Sequence, residues 1–192
     1  MDDLVWIFAN ASVINNFTLA YFLGLCPFFG VTNRIDTAFR LGVANLFTLL
    51  ITSLSATLLD RYVLVHAPYL QLISYIVVIA GTVQFVEMAI KKLSPALFRA
   101  LGIYLPLITT NCAILGLALF QSSKGYGLVQ GLVYALGAGV GLTLAMVIMA
   151  GLREEIEFAP ISKLLRGVAL NFFVAGMLSL AFMGFAGLFA KG

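Results

Sequence analysis

The sequence predicts an all-α integral membrane protein of six transmembrane helices, arranged as two inverted three-helix repeats with helices one and four broken. Three observations carry that expectation. The 192 residues are 62% hydrophobic and 10% charged, whereas about a quarter of the residues of a soluble domain are charged. The charges cluster, leaving the uncharged runs Leu4–Asn33, Leu41–Leu59, Ala100–Ser123 and Gly167–Ala190, each long enough to cross a hydrocarbon layer of about 30 Å. Finally, Cys26 to Gly30 and Cys112 to Gly116 both read Cys-x-x-x-Gly, at matching places in two halves, residues 1–97 and 98–192. Three crossings per half force the second copy to enter the membrane from the opposite side.

Taken in order, span one covers about 4–31 and span two about 39–60. The first loop is Thr32-Asn33-Arg34-Ile35-Asp36 and the second is Asp60-Arg61 with Pro68. Met1-Asp2-Asp3 is acidic where a cleavable signal is basic, so the first span is expected to stay in the mature protein. Span three, 69–90, is followed by Lys91-Lys92 with Pro95, and span four, 100–121, by Ser122-Ser123-Lys124-Gly125. Span five, 127–151, leads into the longest loop, Arg153 to Arg166 with Pro160. There Arg153-Glu154-Glu155-Ile156-Glu157 reads as a solvated helix end. Span six is 167–190. All 192 residues form one membrane domain.

Charge sets the orientation. Arg34, Arg40, Lys91, Lys92, Arg99, Arg153, Lys163 and Arg166 fall on the side of loops one, three and five, against Arg61, Lys124 and Lys191 opposite. Basic loops stay cytoplasmic, so both termini are expected on the periplasmic side of a bacterial inner membrane. The net charge of +3 is spread over helix ends and forms no basic stripe for nucleic acid.

Chemistry is expected at the two cysteines. Gly24 precedes Cys26 and Pro27 follows it, while Pro106 and Thr109-Thr110-Asn111 lead up to Cys112. Asn and Thr cap helices and Pro favours the first helical turn, so each cysteine is expected at the start of a half-helix. Free N–H groups and the positive dipole end there favour an anionic sulfur. Two anionic sulfurs in hydrocarbon require a cation, which points to a metal site. Zinc or an iron–sulfur cluster takes four such ligands, so two more would come from another subunit. The competing reading makes both cysteines small apolar packers. A disulfide between two apolar runs is not expected.

The other polar groups within spans include Asn15, Asn16, Asn45, Gln84, Glu87 and Asn171. Asn15-Asn16 could satisfy backbone freed at the break, but bonding to a neighbouring helix is the preferred reading. Glu87 is the one acid inside a span. With Lys91 at i+4 it reads as a boundary ion pair. His66 has no partners at ligand spacing and is assigned no role. The sequence contains no phosphate loop, nucleophilic-serine motif, dinucleotide fingerprint or Cys-x-x-Cys ferredoxin run. Flavin and nicotinamide chemistry therefore belongs to other chains.

At Phe22-Leu23-Gly24-Leu25-Cys26-Pro27-Phe28, Gln84-Phe85-Val86-Glu87-Met88, Leu105-Pro106-Leu107-Ile108-Thr109-Thr110-Asn111-Cys112-Ala113 and Ser179-Leu180-Ala181-Phe182-Met183-Gly184-Phe185, the chain resembles a known family over essentially its whole length. That family contains the A subunit of the Rnf complex, an ion-translocating ferredoxin:NAD⁺ oxidoreductase, and the homologous E subunit of the Na⁺-translocating NADH:quinone reductase. The resemblance implies an intramembrane [2Fe–2S] cluster held by Cys26, Cys112 and two cysteines of the paralogous Rnf E subunit. It also implies a translocase subunit that carries electrons across the membrane, coupled to Na⁺ or H⁺ movement, with flavins and NAD on other subunits. Without the resemblance, a small inverted-repeat carrier or channel and a structural scaffold remain open.

Overall fold

The computed structural model describes residues 2–30, 32, 34–64, 68–93, 108, 110–158 and 168–189. His66, Pro95, Pro106 and the loop residues Pro160, Lys163 and Arg166 lie outside them. Every regular element among the described residues is helical. In chain order these are α1 (Asp2–Ala9), α2 (Phe17–Ala20), α3 (Leu25–Gly30), α4 (Ile35–Leu59), α5 (Gln71–Leu93), α6 (Cys112–Ser123), α7 (Leu128–Phe158) and α8 (Val168–Phe189). Wider π turns continue α1 over Asn10–Ile14 and α4 over Asp60–Leu64, and a 3₁₀ turn, Pro68–Leu70, leads into α5.

Two stretches, Ile35–Tyr62 and Leu128–Ile156, are long and apolar enough to cross a membrane. The segment expected as span one is instead three short helices. Its first interruption falls at Asn15 and Asn16. Asn16 takes an extended backbone (φ −60°, ψ 120°), and its side chain accepts from the Thr18 amide to start α2. The second falls at Tyr21–Gly24, where Phe22 and Gly24 have φ of 56° and 81°. Such positive values suit glycine, while at Phe22 they strain an L residue.

α7 runs past the apolar span through Phe158 and includes the helix end expected over Arg153 to Glu157. Its last turns are anchored and not freely solvated. The Arg153 guanidinium donates to Phe29 O at 3.1 Å and Thr32 Oγ1 at 2.8 Å. Glu154 Oε1 accepts from the Ile35 amide at 3.4 Å. α4 likewise begins at Ile35, four residues before the expected 39.

At the centre α4 and α7 pack side by side and antiparallel. Ile35 meets Glu154, Gly42 meets Thr143 and Leu46 meets Gly139. Apolar residues gain little from leaving one oily solvent for another, so helices in lipid associate through close van der Waals fit between small residues. A Cβ on Gly42 would fall 2.5 Å from Thr143 Cγ2, and one on Gly139 would fall 2.8 Å from Leu46 Cγ. The opposite side of α7 receives α1 as closely: a Cβ on Gly137 would lie 2.8 Å from Phe8 O, and one on Gly141 2.5 Å from Ser12 O. Around this pair, Leu41, Leu49, Leu117, Leu142, Met146 and Met149 are fully buried. α6 and α5 close one flank of α4, and α8 meets α2 where Ser179 Oγ donates to Leu19 O at 2.6 Å.

Candidate functional site

Cys112 is the first residue of α6. Asn111 precedes it with an extended backbone (φ −72°, ψ 114°), and its Oδ1 accepts from the Ala113 amide at 3.0 Å. This side-chain cap satisfies one of the four amides that a helix start leaves without partners. Cys26 is the second residue of α3 and Pro27 the third. Both thiols are free, Cys26 exposed and Cys112 partly buried.

The two breaks meet. The Gly24 amide donates to Cys112 Sγ at 2.9 Å across 88 positions of sequence. A Cβ on Gly24 would come within 3.2 Å of Asn111 Oδ1 and 3.3 Å of Ala113 Cβ. Glycine is needed there both for its positive φ and for this close approach. Leu23 is equally constrained, since a Cβ on Gly116 would lie 2.6 Å from its Cδ1. The Cys112 sulfur thus faces a backbone donor from the loop that leads into α3 and Cys26, at the amino end of its own helix.

Two thiols cannot close a four-ligand site. Among the described residues no group of three or more His, Cys, Asp or Glu could hold a metal ion. The exposure of Cys26 leaves it available to a second chain. These residues therefore fit half of a shared thiolate site, while a complete site within this chain is not supported by the described residues.

The remaining polar residues divide. Asn16 combines the two roles weighed for it, because it caps α2 while its Nδ2 donates to Gly141 O on α7 at 2.7 Å. Asn15 bonds to the Asn10 side chain. Asn45 is buried on α4 and accepts from Asn111 Nδ2 at 3.2 Å. It is joined to the cysteine site through the cap. Glu87 is half-buried near the end of α5, four residues before the exposed Lys91, while Gln84 is exposed and Asn171 half-buried. None of these three is joined to the cysteines by a described contact.

Sequence reasoning alone passed over Gln121, Ser53 and Thr57. Ser53 Oγ donates to Gln121 Oε1 at 2.8 Å, and Gln121 Nε2 donates to Thr57 Oγ1 at 2.7 Å. A signal was present, for Asn45, Thr48, Thr52, Ser53, Thr57 and Asp60 recur mainly at gaps of three or four residues within span two.

Residues 4–189 match the Rnf-Nqr family, described as Rnf-Nqr subunit, membrane protein. Relatives named as the A subunit of an ion-translocating oxidoreductase complex are similar over nearly the whole chain. The protein from Syntrophotalea carbinolica is 50% identical over 190 residues, covering 98% of each chain. Those from Azotobacter vinelandii and Pseudomonas aeruginosa are 49% and 48% identical over 191 residues, again covering 98% of each. With paired helix breaks, two cysteines at helix starts and a family match over nearly its whole length, the chain belongs to the Rnf-Nqr family of membrane proteins.

Proposed function

We propose that this chain is a membrane component of a redox-driven, ion-translocating oxidoreductase complex of the Rnf type. In this reading Cys26 and Cys112 supply two thiolate ligands of a [2Fe–2S] cluster. The paralogous Rnf E subunit supplies the other two, and electron flow is coupled to Na⁺ or H⁺ movement. The chain is not catalytic alone, and flavins and NAD belong to other subunits. The observation that carries the reading is the Gly24 amide on Cys112 Sγ at 2.9 Å, which gathers both helix breaks around one sulfur.

A cluster there would supply a one-electron stopping point between the two membrane faces. This chain's own residues would do the rest. The start of α6 and the Gly24 amide would offset the negative charge of a cluster-bound sulfur, while Cys26 presents the second ligand outward to the partner. Depth agrees with that role. Eleven residues separate Cys112 from Ser123, a rise of about 16 Å, close to half of a ~30 Å hydrocarbon core. The same proposal includes six spans as inverted repeats over 1–97 and 98–192, in a bacterial inner membrane with both termini periplasmic.

The names of the relatives favour the Rnf type over the E subunit of the Na⁺-translocating NADH:quinone reductase. The test is Cys26→Ser and Cys112→Ser in the purified complex. Near-isosteric exchange of a packing residue costs at most about 1.5 kcal/mol, plus any cost of burying the hydroxyl. Loss of a ligand should instead abolish the paramagnetic resonance signal of the reduced cluster and loosen the paralogous partner in detergent. The double variant should be no worse than either single one, because one shared site is lost once. Normal iron and sulfide content with normal turnover in both single variants would leave the carrier or the scaffold in its place.

A further inference from the structure

A ladder of polar side chains runs inside the protein from Asp60 to the cap of Cys112. On α4 it comprises Asn45, Thr48, Thr52, Ser53 and Thr57, of which all but the half-buried Thr57 are buried, and it ends at Asp60 on the π turn. Fifteen residues separate Asn45 from Asp60, about 22 Å of helix. At the Asp60 end, Ser122 donates to Asp60 Oδ1 at 3.2 Å and Gln71 Nε2 donates to Ser122 Oγ at 2.9 Å. The hydroxyl of the fully buried Tyr75 lies beside Ser122, Gln71 and Asp60, with none of the three in full hydrogen-bond geometry. In the middle, Gln121 bridges Ser53 and Thr57. At the far end, Asn45 accepts from Asn111, which caps the helix beginning with Cys112.

Helices in lipid are often joined by such bonds, but joining does not account for the unpaired atoms. Tyr75 OH, Thr52 Oγ1 and Asn45 Nδ2 are all buried without a partner. Thr48 and Thr57 bond back to the carbonyl four residues earlier, whereas Thr52, between them, does not. A buried polar atom without a partner is costly and calls for an occupant or a function. Two of these three atoms are oxygens, and the ladder adds hydroxyl, amide and carboxylate oxygens, the ligand set of a hard cation.

We propose that the α4–α5–α6 interface is the pathway by which the coupling cation passes between the Asp60 end and the cysteine site, with a cation station formed by Asp60, Ser122 and Tyr75. The inference rests on the ion-translocating reading above. Gln121, held by Ser53 and Thr57, closes the pathway midway. Gly131 on α7 leaves room for that side chain, since a Cβ there would fall 2.3 Å from Gln121 Nε2. Negative charge gained at Cys112 would act on the ladder through Asn111 and Asn45.

Tyr75→Phe and Thr52→Val test this, because the first deletes and the second exchanges for a methyl a buried hydroxyl that holds no well-formed hydrogen bond in the fold. If the ladder merely joins helices, both variants leave thermal stability unchanged or higher, and ion transport unchanged. If the ladder is the pathway, stability is kept while the apparent affinity for the transported cation falls about tenfold or more, as when a charge loses one polar partner. The assay is redox-driven ion uptake by the whole complex in sealed vesicles, read against electron transfer. One arm varies Na⁺ at fixed pH, and another varies pH without Na⁺. A shift confined to the first arm identifies Na⁺, and a shift confined to the second identifies the proton. Wild-type dependence in both arms for both variants overturns the pathway. An unchanged cluster signal in these variants, beside its loss in Cys112→Ser, separates failure of this inference from failure of the redox assignment.

Discussion

Asn111 joins two functions in one side chain. Its Oδ1 accepts from the Ala113 amide to cap α6, and its Nδ2 donates to Asn45 on α4. Asn111→Ala would remove a cap of typically about 1 kcal/mol and strand Asn45 Oδ1 in the interior at a further ~1–3 kcal/mol. A combined loss of roughly 2–4 kcal/mol in the unfolding free energy is expected. Asn111→Ser keeps a capping oxygen on a shorter side chain, so it should recover the cap's share and leave the rest. Denaturant unfolding of the two variants in detergent checks the difference. Equal losses would mean that the cap contributes nothing, and an Asn111→Ser protein as stable as the wild type would mean that Asn45 gains nothing from its partner. Cys112 itself follows this cap, so disorder at the start of α6 should also appear as lower cluster content in Asn111→Ala.

At the scale of elements, α7 is the post against which α1 and α4 are set, and its glycines decide how closely. Gly141 faces Ser12 O at a would-be Cβ distance of 2.5 Å. The obstacle is backbone, which cannot rotate aside. Gly141→Ala should therefore destabilise the protein by about 1–3 kcal/mol, the usual cost of overpacking. Gly131→Ala should cost less, because the atom it meets is the far end of the Gln121 side chain. Gly176→Ala on α8 meets nothing within 4 Å. It should be neutral, or stabilising by up to about 1 kcal/mol through helix propensity. Thermal melts of the three variants give this order directly, and a Gly141→Ala protein as stable as Gly176→Ala would refute the close-packing account. At the other contact of α7, Arg153 donates to the Phe29 carbonyl, one of those that the end of α3 leaves without a partner inside the helix.

For the whole molecule, contacts at the two ends agree with alternating spans. Thr32, Ile35, Arg153 and Glu154 meet at one end, and Asp60, Gln71 and Ser122 at the other. In the proposed orientation, which rests on the charge asymmetry, the first end faces the cytoplasm. Reporter fusions at Gly192 and within Ser122–Gly125 should then behave as periplasmic, and those near Ser94 and Ala159 as cytoplasmic. The reverse pattern would turn the cation pathway around, with Asp60 facing the cytoplasm.

Much was legible without coordinates. Apolar runs bounded by charge announced a helical membrane protein, and two of those runs are helices long and apolar enough to cross, because burial in lipid is dictated by composition along the chain and requires no knowledge of neighbours. The breaks beside Cys26 and Cys112 were legible for a similar reason, since Gly24 and Asn111 act on backbone within a few residues. Boundaries were less so: α4 starts at Ile35, four residues before the expected 39, where the Ile35 amide meets Glu154 from the distant end of α7. Above all, the Gly24 amide on Cys112 and the ladder from Asp60 to Asn45 belong to the tertiary structure alone. Their partners stand 62 to 88 positions apart, except for Gln71 and Ser122 at 51. A polar residue in a span looks the same in sequence whether it meets lipid, a neighbouring helix or a passing ion, and only packing decides which.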